Sequence, residues 1–225
     1  MSIKHYLKKK RNKHFVFKGI EVQIKDPLPE GIEINLALSR ALEIMPKHLL
    51  VGIKNIHIGQ FEKLKERDLQ AMFHRETDSI YVTNEQDSVE DFVDDVVHEI
   101  AHSVEEIFRD EIYSDQALER EFLLKRKNMW RKLKELGLEV DLKDFLRTEY
   151  SFKFDELLYK EIGYSSLSVL LSQIYFSPYG ATSLSEYFAN GFEAFFMRRE
   201  VRRLRSISPK LYKKLEELLK KEDEF

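Results

Sequence analysis

His98 and His102 enclose Glu99, Ile100 and Ala101 in the pattern H-E-x-x-H. On a helix, positions i and i+4 share a face, so two imidazoles at this spacing can bind one metal ion. Glu99, one position on, can reach a water on that ion. Zinc accepts neutral imidazole nitrogen, and a catalytic zinc site has three protein ligands and one open position. Water bound there ionises near neutrality, and an adjacent carboxylate can take its proton and pass it to a leaving amine. The chain has no cysteine. That excludes a disulfide scaffold, a thiolate zinc site, an iron–sulfur cluster and a cysteine nucleophile. Any metal must be held by His, Asp and Glu. His48, His57 and His74 are scattered and read as surface or internally satisfied histidines.

A third ligand has to come from elsewhere. The continuation H-E-x-x-H-x-x-G-x-x-H is absent, because Glu105 stands at its Gly position and Phe108 at its third His. A carboxylate on another element is the remaining choice, as in sites with two histidines and a glutamate. The best segment runs from Pro178 to Phe196. On its helix Glu186, Asn190 and Glu193 share a polar face, while Phe188, Phe192 and Phe195 form the expected core stripe. Glu186 could be the ligand. Ser183-x-x-Glu186 is equally a capping box, which alone would explain a glutamate there, and Glu193 is the alternative ligand.

Taken together, the two segments resemble zinc peptidases of the anthrax lethal factor type, including the clostridial Pro-Pro endopeptidases. The family pattern is an H-E-x-x-H helix, then a Tyr seven residues before a zinc-binding Glu that opens a helix reading E-[FY]-F-A-x-x-F. Tyr179 stands at that distance from Glu186, and Glu186-Tyr187-Phe188-Ala189 with Phe192 matches the rest. The resemblance covers residues 88–108 and 178–197. It implies that His98, His102 and Glu186 hold one zinc, that Glu99 is the general base, and that Tyr179 donates its hydroxyl to the developing oxyanion. At the position where the lethal factor has a second Glu, this chain has Asn190. With Glu193, Asn190 is expected close behind the metal ligands, where a change of charge alters metal affinity. A toxin role is not carried over, since neither delivery domains nor an export signal is visible.

These residues need a frame. The 225 residues suit one sizeable core. The expectation is a basic tail over residues 1–13 and one domain over 14–225. A hydrophobic share of 43% argues against disorder, and a net charge of -3 argues against binding nucleic acid by bulk charge. His14–Ile24 alternates as a strand, Ile32–Met45 has helical spacing, and Ile53–Ile58 and Asp78–Thr83 read as strands. Helices are expected at 88–109, 115–136, 141–148, 154–163, 165–174, 184–203 and 209–221. Ser88, with Asp91 behind it, is a cap for the first of these. Gly137 suits a C-cap for the second, which is so charged that it reads as a surface helix or a lid. The fold class is α+β: a small N-terminal antiparallel or mixed sheet, then a mainly helical body, zincin-like by the resemblance.

The leading functional reading is a zinc-dependent endopeptidase with one Zn2+ per chain. Its partner would be a peptide or protein substrate, lying along an edge strand formed by Ile80, Tyr81 and Val82. The second is a non-catalytic interaction or regulatory protein that keeps the fold and binds zinc without cutting. No apolar stretch is long enough for a membrane span and no signal peptide is evident, so a cytoplasmic location is expected.

Overall fold

The computed structural model describes residues 13–197 and 200–221. Residues 1–12 of the expected basic tail lie outside them. Two compact units divide at Ser103–Val104, within one long helix, and the fold is α+β.

The first unit begins with a hairpin where one strand was expected. β1 (Lys13–Phe17) pairs antiparallel with β2 (Ile20–Ile24), and Phe17 faces Ile20 across the turn. Lys18 (φ 50°) and Gly19 (φ 87°) are both left-handed, the requirement of a two-residue turn matched to strand twist. The apolar alternation continues through this turn, so periodicity alone could not reveal the break. Helix α1 (Ile34–Leu42) buries Ala37, Leu38, Ala41 and Leu42 and crosses over to β3 (Asn55–Ile58). After the single-turn α2 (Glu62–Lys65) come β4 (Ala71–His74) and β5 (Ser79–Val82). The sheet order is β1-β2-β3-β5-β4, with β2, β3 and β5 parallel and the outer pairs antiparallel. Ile20, Val22, Ile56, Ile58, Ile80 and Val82 are buried.

This order corrects the expected substrate strand. Ile80, Tyr81 and Val82 belong to β5, which is paired on both sides and has no backbone groups to offer. The edge is β4. All four of its residues are half-buried, so it lacks the alternation that marks a strand in sequence.

The long helix α3 (Val89–Ile107) is followed by α4 (Arg109–Tyr113), α5 (Ala117–Glu135), α6 (Leu142–Phe145), α7 (Phe152–Glu156) and α8 (Tyr164–Leu170). Then come α9 (Leu184–Phe196), α10 (Val201–Ile207) and α11 (Pro209–Lys220). The expected single helix 184–203 is thus two. Helix α5 is a core element of the second unit and not a surface lid. It buries Leu118, Phe122, Lys125, Arg126, Met129 and Leu133, so two cations occupy inward positions of its apolar stripe. Gly137 (φ 83°) ends it as expected: the amides of Gly137 and Leu138 donate to the carbonyls of Lys134 (2.9 Å) and Leu133 (3.1 Å).

Gly191 sets the approach of α9 to α11. A Cβ there would lie 2.1 Å from Leu211 Cδ2, and Leu211 is fully buried. Gly191→Ala should therefore destabilise the protein by about 1–3 kcal/mol through overpacking, outweighing a helix-propensity gain of about 1 kcal/mol. Urea unfolding measures this, and the added substitution Leu211→Ala should make the glycine replacement less harmful. A stabilised Gly191→Ala protein would contradict the packing.

Candidate metal centre

Helix α3 starts where the sequence places it. The Asp91 amide donates to Ser88 Oγ (3.1 Å), and Ser88 Oγ donates to Asp91 Oδ2 (2.7 Å). Glu90 and Asp91 in the first turn suit the positive end of the helix dipole. Phe92, Val93, Val96, Val97 and Ile100 bury the apolar half, which fixes the rotation of the helix. His98 and His102 are left half-buried on another face, their ring centroids 4.9 Å apart at 75°. One ligand atom each from His98, Glu99 and His102 lies within 4.8 Å of the others, a cluster found among the described residues of the first unit. Two imidazoles are donors that suit zinc, and the Glu99 carboxylate beside them is placed to act on a water rather than to complete the ligand set, so His98 and His102 fit the ion that the motif implies.

Glu99 is 7% exposed, and its Oε2 accepts the backbone N–H of Phe73 at 2.5 Å. The sheet explains why that amide is available. Thr83 N–H donates to Gln70 O (2.8 Å), and Met72 and His74 stand opposite Tyr81 and Ser79. Antiparallel pairing alternates, so Gln70, Met72 and His74 turn their backbone groups toward β5, while Ala71 and Phe73 turn theirs outward. An edge-strand amide thus orients the carboxylate of the motif. Side-chain patterns carry no trace of such a contact.

Asp95 lies one turn before Glu99. Its Oδ2 accepts from Gln86 Nε2 at 2.9 Å. Burial pushes its carboxyl up to about 6 from 3.8, with Glu99 and Asp91 adding to the rise and Gln86 and His98 opposing it. The folded chain then binds this proton more tightly than the unfolded chain. Stability falls as pH rises from about 4 to about 6, and the penalty is complete at neutral pH. In metal-free protein, Asp95→Asn should raise unfolding free energy at pH 7 by about 2 kcal/mol and change it little at pH 4. Thermal melts at the two pH values check this; equal effects at both would contradict it.

The remaining sequence candidates belong to the second unit. Ser183 caps α9, with the Glu186 amide donating to its Oγ (3.1 Å), so the capping box proposed from sequence is real on the Ser183 side. Glu186 and Glu193 are half-buried, as is Tyr179 in the 3-10 turn Tyr179–Ala181. Ser185 Oγ donates to Glu105 Oε2 (2.5 Å), and Glu105, in the last turns of α3, also accepts from Tyr113 (2.7 Å). The start of α9 is thereby tied to the end of α3. Asn190 accepts from Ser177 Oγ, which in turn receives the Gly180 amide (3.2 Å). A Cβ at Gly180 would lie 2.8 Å from Asn190 Oδ1. Asn190 therefore braces the turn that carries Tyr179, a role that the sequence alone did not suggest.

Comparisons with known family profiles, with curated proteins and with solved structures return no match for this chain. The likeness to the lethal factor type rests on its two motif blocks.

Proposed function

We propose that this protein is a zinc-dependent endopeptidase that holds one zinc through His98, His102 and Glu186. The observation that carries the reading is the cluster of His98, Glu99 and His102, with Glu99 buried and seated on an outward amide of the edge strand. Glu186 enters as third ligand from the motif: it stands seven residues after Tyr179 and opens the helix that Ser183 caps.

The zinc would acidify a water and polarise the scissile carbonyl. Glu99 takes a proton from the attacking water and delivers it to the departing amine. The Phe73 amide holds one carboxylate oxygen, which limits rotation of the base and leaves proton transfer to the other. Tyr179 donates its hydroxyl to the oxygen that gains charge. The substrate backbone pairs with β4, through the outward groups of Ala71 and the Phe73 carbonyl, in place of the β5 residues expected from sequence. No described helix is long and apolar enough to cross a membrane.

A peptide library incubated with the protein, with a chelator, and with chelator followed by zinc tests the proposal. Cleavage should disappear on chelation and return at one zinc per chain. Cleavage that survives full removal of the metal would overturn the proposal. Stoichiometric zinc with no cleavage of any peptide would favour the non-catalytic zinc-binding reading.

A further inference from the structure

We infer that Arg126 is a positioning residue, fixing Tyr179 and Glu186 through the main chain of the turn between them; this rests on the peptidase reading. Arg126 is 1% exposed on α5. All its hydrogen bonds run to backbone carbonyls. One terminal nitrogen donates to Ala181 O (2.5 Å) and Thr182 O (3.3 Å), and the other to Asp144 O (2.5 Å). The guanidinium carbon lies 3.7 Å from the centre of the Phe154 ring. Burial lowers the group to about 10, which leaves it charged at neutral pH.

A buried charge without a carboxylate bonded to it is an expensive way to fill space, and an apolar side chain of similar size would pack at lower cost. What the planar fork adds is direction: it fixes several acceptors at defined angles. Two of those acceptors are Ala181 and Thr182. They end the turn that begins at Tyr179 and immediately precede Ser183, whose side chain caps the helix of Glu186.

The turn is held at other points too. Tyr179 O receives the Thr182 amide (2.9 Å) and Thr182 Oγ1 (2.7 Å), and the Leu184 amide donates to Thr148 O (2.8 Å). Ser177 and Asn190 brace it at Gly180. Arg126 is the one charged side chain among these groups, and it reaches the turn from a neighbouring helix.

The preceding residue supplies an internal control. Lys125 is also buried, and its Nζ donates to Ile174 O (2.5 Å), Ile207 O (2.7 Å) and Ser208 Oγ (3.1 Å). It grips main chain in the same manner but away from the Tyr179 turn. If burial of a cation in α5 served stability alone, the two residues would behave alike.

The test compares Arg126→Lys, which keeps the charge and loses the fork, with Lys125→Met, each alone and combined with Tyr179→Phe. Two readouts are used: amide hydrogen exchange at Ala181, Thr182, Leu184 and Glu186, and steady-state peptide cleavage. Arg126→Lys should raise exchange at those amides about 10-fold or more. It should lower kcat by about 10- to 100-fold, the scale of a misplaced catalytic group, with KM within about twofold. At saturating zinc, which offsets any loosening of Glu186, the double variant with Tyr179→Phe should be little worse than Tyr179→Phe alone, because the loss that runs through Tyr179 is then common to both changes. Any loss from Lys125→Met should instead multiply with that of Tyr179→Phe. If Arg126→Lys does not fold, Thr182→Val, which removes only the Oγ1 bond to Tyr179 O, should show the same pattern in weaker form. Wild-type exchange and kcat in these variants, or losses that multiply as those of Lys125→Met do, would overturn the inference. A wild type that cuts no peptide would sink the peptidase reading itself, and the exchange arm would still show whether Arg126 holds the turn.

Discussion

Glu99→Gln should abolish peptide cleavage, lowering kcat by about 10²- to 10⁴-fold, while zinc still binds at one per chain. Structure and chemistry separate cleanly at this residue. The Glu99 carboxylate accepts the Phe73 amide, and a glutamine carbonyl can accept the same bond in the same place. The substitution therefore leaves the contact to the edge strand, the burial and the fold in place, and takes away only the ability to carry a proton. Glu99→Ala does something different. It strands the outward Phe73 N–H in a partly buried position, which costs about 1–3 kcal/mol. A thermal melt distinguishes them: Glu99→Gln should melt close to wild type and Glu99→Ala well below it. A Glu99→Gln protein that cuts peptides at the wild-type rate would remove Glu99 from the mechanism.

The second large effect falls on zinc affinity. Glu186→Ala should weaken zinc binding by more than the roughly 10- to 100-fold expected when a residue behind the ligands is changed. Glu193→Ala should stay within a few-fold of wild type. Loss of a capped helix start does not confound the comparison, since the cap bond is made by the Glu186 backbone amide to Ser183 Oγ and survives substitution of the side chain. Competition titration against a zinc indicator measures both variants. The reverse ranking, with Glu193→Ala losing the metal, would move the third ligand by two turns along α9 and separate this chain from the family pattern.

The sequence exposed those parts of the molecule in which side-chain type and backbone geometry coincide. Ser88, Asp91 and the apolar half of α3 are legible because capping and 3.6-residue periodicity are properties of the segment itself. Ser183 and Gly137 are legible for the same reason. The hairpin at Lys18–Gly19 was hidden because its two strands share one continuous alternation. β4 was hidden because neither of its faces is fully buried. The expectation of an exposed edge at Ile80, Tyr81 and Val82 has the same cause: without β4, β5 looks like an edge. Helix α5 departs from its sequence pattern through its charges. Lys125 and Arg126 suggest a solvated face, and only the tertiary structure supplies the carbonyls that let them point inward. The Phe73–Glu99 bond belongs to a third class, since a backbone amide that holds a side-chain carboxylate leaves no mark on residue identity.

The most direct test of the account is a crystal structure of zinc-loaded protein with anomalous data at the zinc edge. A single strong peak is expected within bonding distance of the imidazoles of His98 and His102, with a Glu186 oxygen as the third protein ligand and Glu99 beside the open position. A peak elsewhere on the chain, or one at His98 and His102 completed by Glu193, would contradict it.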